Sequence, residues 1–71
     1  MVNVKLFRDT IKERGMTVKA VCEKSDITRQ TLYWKYKNPD HFTIKEIDAL
    51  RRTMRLSPAD VYNIFFADNV K

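Results

Sequence analysis

Thr28-Arg29-Gln30-Thr31 has the residue types and spacing to read base edges. Arginine pairs bidentately with guanine and glutamine with adenine, each pair giving roughly 1–3 kcal/mol of discrimination. Residues near the start of a helix lying in the major groove are the ones that reach those edges. If Leu32 and Tyr36 face inward, a step of about 100° per residue turns Gln30, Tyr33, Trp34 and Lys37 outward. Arg29 then sits at the exposed N-terminus. Tyr33 or Trp34 can pack on a thymine methyl or a sugar. The base-reading or partner-docking candidates are therefore Arg29, Gln30, Tyr33 and Trp34.

The flanking donors suit phosphate. Thr17, Lys19 and the first amides of the preceding helix can meet one phosphate, because helix N-termini attract anions. Thr28 belongs to the same set, and Lys35, Lys37, Asn38, Thr43 and Lys45 can hold the strand on the other side. Such contacts set position and salt dependence rather than sequence. Lys19, Lys35, Lys37 and Lys45 can each equally be ordinary solvated residues, whereas for Arg29 and Gln30 the motif favours base contact over a solvated position.

Other chemistries find little support. Cys22 is the lone cysteine, at a small-residue position that suits packing. His41 has no second His or Cys at ligand spacing, so no metal is expected. Asp40 and His41 have no nucleophile to act with, so no catalytic set is expected. No cofactor or small-molecule ligand is implied. Trp34 leaves three readings open: DNA contact, protein contact or partial burial. Aromatic anchors are favoured at protein interfaces. In Ile64-Phe65-Phe66 a helix should leave one ring outside, Phe66 before Phe65; that ring is either a harmless surface aromatic or part of a self-association patch, for which these two are the candidates.

Helical spacing runs through nearly the whole chain, with no convincing strand alternation. The spacing predicts a first helix over about Asn3 to Arg14, with Val4, Phe7 and Ile11 on one face and Gly15 as a left-handed stop. A second helix follows Thr17 as cap and runs to about Lys24, with Val21 and Cys22 or Ala20 inward, and Ser25-Asp26 turns the chain. A third runs from the Thr28 cap to about Lys37, broken by Asn38-Pro39-Asp40. The fourth opens on the capping box Thr43-Ile44-Lys45-Glu46, with Ile44, Ile47, Leu50 and Met54 recurring behind it. The fifth opens on Ser57-Pro58, with Val61, Ile64 and Phe65 inward. A tail of about 67–71 is expected to fray. The expected core is Phe7, Ile11, Met16, Val21, Ile27, Leu32, Tyr36, Phe42, Ile44, Ile47, Leu50, Leu56, Val61 and Ile64.

The chain has 71 residues, which is room for one small domain over 1–71. Its net charge is +5 and its isoelectric point about 9.6, which favours a polyanionic partner. One cysteine permits no internal disulfide and fits a reducing cytoplasm. No apolar run is long enough to span a bilayer, and MVNVKLFRD lacks the core of a signal peptide.

The order Gly15, Thr17, Cys22, Ile27, Thr28, followed by IKEIDALRRTMRLSPADV, resembles the Cro/CI-type (lambda-repressor-like, XRE) helix-turn-helix family. The resemblance runs from about Leu6 to Phe65. It departs at Val18, where the family often has Gln, at Asp26, where the turn often has Gly, and at Asn38-Pro39, where it has Asn-Gly. Tyr33 and Trp34 stand where small or polar residues are common. The resemblance implies a compact all-α domain of five helices, with the helix-turn-helix at helices 2 and 3, about residues 17–37. It implies a small regulator that occupies an operator in double-stranded DNA, in the cytoplasm of a bacterial host, as in a phage or mobile-element lysogeny switch, with a homodimer as a possible form. The alternative it leaves open is an antirepressor that binds a partner CI-type repressor through the same face.

Overall fold

The computed structural model describes residues 2–67. Five helices form: α1 Val4–Glu13, α2 Val18–Ser25, α3 Arg29–Lys37, α4 Ile44–Met54 and α5 Pro58–Val61. A single 3₁₀ turn, Pro39–His41, precedes α4, and a π-helical turn, Tyr62–Phe66, extends α5. The described residues contain no strand, and none of their helices is long and apolar enough to cross a membrane. Of the tail expected to fray, 68–71 lie outside the described residues.

Local chemistry fixes where each helix starts. Asn3, Thr17, Thr28, Thr43 and Ser57 each accept a bond from the amide three residues on, at 3.0–3.1 Å. Such caps satisfy amides that a helix start otherwise leaves bare, and each contributes about 1 kcal/mol. Glu46 and Asp60 reach back to the Thr43 and Ser57 amides at 2.8 and 3.0 Å, closing two capping boxes. The stops of α1, α2 and α4 are left-handed, Gly15 at φ 67°, Asp26 at 61° and Arg55 at 54°, whereas α3 ends at Asn38 with φ −131°.

The core lies between α1, the α2–α4 pair and the C-terminal turn. Phe7 is its hub, meeting the rings of Tyr36, Phe42 and Phe65 at centroid distances of 5.8, 6.2 and 6.0 Å. Ile11, Val21, Cys22, Ile27, Leu32, Leu50, Met54, Leu56, Ile64 and Phe65 are buried around it. Met16, Tyr36, Phe42, Ile47 and Val61 pack against this cluster while only partly buried. The Asn3 amide donates to the Ile64 carbonyl at 2.7 Å and ties the start of α1 to the C-terminal turn.

Two expectations are corrected here. Ile44, expected in the core, is 83% exposed. It is the first residue of α4, and about 100° per residue places it nearly a right angle away from the stripe of Ile47, Leu50 and Met54. Phe65, offered as a self-association residue, is buried, whereas Phe66 remains 41% exposed. The π turn explains how neighbouring Ile64 and Phe65 both enter the core. A wider turn puts fewer degrees between successive side chains than an α-helix does.

Candidate nucleic-acid interface

Leu32 is fully buried and Tyr36 half-buried, and this anchors α3 by one side only. Gln30, Tyr33, Trp34 and Lys37 emerge on the other side, with Arg29 exposed at the first turn. Trp34 is 50% exposed and meets His41 edge to face at 5.0 Å. Partial burial therefore describes one flank of the indole, and the remainder is open to a partner. Tyr33 is 46% exposed and leans on Tyr36 at 5.8 Å.

Four exposed cations gather on this face. Lys19, Arg29, Lys37 and Lys45 are exposed and make no ion pair among the described residues. Elsewhere Lys5 is paired with Asp9, Arg14 with Asp60, and Arg51 and Arg52 with Asp48, at 2.7–2.8 Å, while Arg8, Lys12, Lys24 and Arg55 are exposed and make no ion pair among the described residues. The Thr17 and Thr43 oxygens accept their caps, which leaves each hydroxyl proton free to donate outward. The Thr28 hydroxyl instead donates to Thr31 Oγ1 at 2.8 Å, so the open donors at that start are main-chain amides. Asn38 Nδ2 turns back onto the Trp34 carbonyl at 2.9 Å and closes the end of α3. Its side chain serves the helix first.

Lys35 is the correction within the site. The sequence places it among the phosphate contacts, yet its side chain is only 9% exposed and its Nζ is already engaged. Nζ donates to the His41 carbonyl and to Glu46 Oε1, each at 2.6 Å, and lies 5.8 Å from the centre of the Phe42 ring. At about 100° per residue, Lys35 lies on the flank of the Leu32–Tyr36 stripe, turned toward α4. The signal that could have found it was the pairing of that flank with the carboxylate of the Thr43–Glu46 box. Burial pushes the Glu46 carboxyl up, but its hydrogen bonds to Lys35 and Thr43, with the Lys35 charge, hold it below its ordinary value.

The remaining reactive groups fit the core. Burial pushes the Cys22 thiol up, with the Arg29 charge opposing it. A raised thiol is a poor nucleophile. No group of three or more His, Cys, Asp or Glu side chains among the described residues is disposed to hold a metal ion.

Three threonine-capped helix starts, a reading helix anchored by one side and unpaired cations beside it define a helix-turn-helix of the DNA-binding class. The chain belongs to the family of Cro/C1-type HTH DNA-binding domains, whose model matches residues 7–66. No curated protein and no solved structure gives a match.

Proposed function

We propose that this chain binds an operator in double-stranded DNA sequence-specifically and regulates transcription by occupying it, with no catalytic step. The observation that carries this reading is the set of unpaired, exposed cations Lys19, Arg29, Lys37 and Lys45 on the starts of α2, α3 and α4 and the end of α3. Arg29 and Gln30 read base edges, with Trp34 or Tyr33 against a thymine methyl. Thr17, Lys19, Lys37, Thr43 and Lys45 grip phosphates, with the first amides of α2 and α4. Occupancy excludes polymerase or a competing repressor from the same DNA. The small size and the family resemblance favour the lysogeny switch of a phage or mobile element, inside a bacterial host. A homodimer, with Phe66 at its contact, would set two reading helices about 34 Å apart, one turn of DNA.

A second reading rests on the aromatic pair. Tyr33 and Trp34 expose about half their surface at the centre of the face, where a protein interface would place its anchors. In that reading the chain is an antirepressor that docks on a partner CI-type repressor and masks it.

One titration separates the two. The purified chain is titrated against the DNA upstream of its own gene at two salt concentrations, with and without the neighbouring repressor. Tight binding that falls steeply with salt supports the operator reading. Negligible specific binding, together with removal of the repressor from its operator, supports the antirepressor. Loss of repressor binding in Trp34→Ala, with DNA affinity unchanged, would point the same way.

A further inference from the structure

We propose that Lys35 is a positioning residue: it fixes the start of α4 against the reading helix without touching DNA. The inference rests on the operator reading above. One carboxylate oxygen, Glu46 Oε1, accepts both the Thr43 amide at 2.8 Å and Lys35 Nζ at 2.6 Å. The Thr43 hydroxyl in turn accepts the Glu46 amide at 3.1 Å. The capping box that starts α4 is thus bonded directly to a side chain of α3. Lys35 holds the intervening segment a second time, through the His41 carbonyl at 2.6 Å. Asn38 and Trp34 hold it from the same helix, by the 2.9 Å bond to the Trp34 carbonyl and the ring contact with His41.

These bonds have a consequence for the two kinds of DNA contact. Arg29 and Gln30 ride on α3. The Thr43 hydroxyl, the Ile44 and Lys45 amides and the Lys45 ammonium ride on the start of α4. Lys35 is the side chain that joins the two groups through a buried charge. A buried ion pair is weak evidence for stability, because desolvation offsets most of its attraction. Its return here is geometric: a phosphate grip already in register with the base contacts need not be ordered on binding.

A double-mutant cycle on the intact chain tests this, read as affinity for its own upstream DNA. The variants are Lys35→Met, Lys45→Ala and Arg29→Ala, the two doubles that contain Lys35→Met, and thermal unfolding of each. Lys35→Met keeps the length and apolar stem of the side chain, removes the charge, and should weaken binding by about tenfold, the size of a moderate coupling. Lys45→Ala should then cost less than about twofold in the Lys35→Met background, because the grip is already misplaced. Arg29→Ala should keep its full effect there. A direct phosphate contact by Lys35 would instead give additive losses with Lys45→Ala, and general loosening of the fold would shrink the Arg29 effect as well. Either result overturns the proposal.

Should Lys35→Met fail to fold, Glu46→Gln enters the same cycles. It keeps an oxygen for the Thr43 amide and removes the charge that Lys35 holds, so non-additivity with Lys45→Ala is again expected and additivity refutes it. If Arg29→Ala and Lys45→Ala each leave DNA binding unchanged, the operator reading itself fails and the Lys35 proposal falls with it. If both weaken binding yet the cycles are additive, only the Lys35 proposal fails.

Discussion

Lys45→Ala should flatten the salt dependence of operator binding, and the size of the change follows from the charges on the face. Lys19, Lys37 and Lys45 are exposed, lack acidic partners and flank the reading helix. Each phosphate neutralised on B-form DNA contributes about −0.9 to the slope of log affinity against log salt. Three such contacts give a slope of about −2.7 per chain, and Lys45→Ala lowers it to about −1.8. Between about 50 and 200 mM salt, wild-type affinity should then fall about fortyfold and that of the variant about twelvefold. The loss should be equal on operator and on unrelated DNA, since phosphates carry no sequence. Fluorescence anisotropy on a labelled duplex at four or five salt concentrations measures both. The control is Lys5→Ala, because Lys5 is held by Asp9 at 2.8 Å and should leave the slope unaltered. If Lys5→Ala flattens the slope as much as Lys45→Ala does, binding is diffuse attraction to a net charge of +5, and the assigned face is wrong.

Three other outcomes are expected. Arg29→Ala and Gln30→Ala should each narrow the preference for operator over unrelated DNA by about 1–3 kcal/mol; full preference in both, by competition titration, would move the reading face elsewhere. Tyr36→Phe should stabilise the fold by about 1 kcal/mol, because the Tyr36 hydroxyl is buried without a hydrogen-bond partner. Burial also pushes that phenol up to about 12, and a melting temperature raised by about 4–8 °C would bear the gain out, whereas a lower one would show that the hydroxyl is bonded in solution. Acid should weaken the fold through Glu46, whose carboxyl is held below its ordinary 4.5. A depressed acid stabilises above its unfolded value and loses that contribution as pH falls through its folded one. Urea unfolding below about pH 4.5 should therefore be steeper in pH for wild type than for Glu46→Gln; identical profiles would remove Glu46 from the acid response.

What was legible in the sequence was mostly local chemistry. Thr17, Thr28, Thr43 and Ser57 each cap the helix that their sequence context announces. A cap needs only a short side-chain oxygen and an amide three residues on, so neighbours in sequence decide it. Gly15 stops α1 in the left-handed region for an equally local reason. The features that escaped depend on how helices meet. Ile44 continues an apolar pattern, but at the first residue of α4 it has no neighbouring helix to cover it. Lys35 reads as a surface cation until Glu46, eleven residues on, is seen to receive it at 2.6 Å. The π turn that admits both Ile64 and Phe65 has no sequence signature of its own. In the candidate site, likewise, the outward set of α3 followed from helical angles, while the split of its lysines into free and buried required the partner helix.

That split bears on which partner the face is built for. A docking surface for protein gains from neutralised charge, since an unpaired ammonium at a buried interface is left without water. A surface for DNA gains from the reverse, because each bare cation releases a counterion when it meets phosphate. Lys35 lies on the reading helix and is sealed by Glu46, while Lys37, two residues on, and Lys45, one residue before Glu46, are left bare. Glu46 is spent inward, on holding two helices together, and neither it nor the exposed Asp40 of the connecting turn forms an ion pair with Lys37 or Lys45. The half-exposed Trp34 does not weigh against this arrangement, because a thymine methyl offers an indole the apolar contact that it needs. Replacing the thymines of the bound DNA with deoxyuridine removes only those methyls. Affinity should drop for wild type and hold for Trp34→Ala if the indole meets a base; an equal drop in both would return Trp34 to the protein-docking reading.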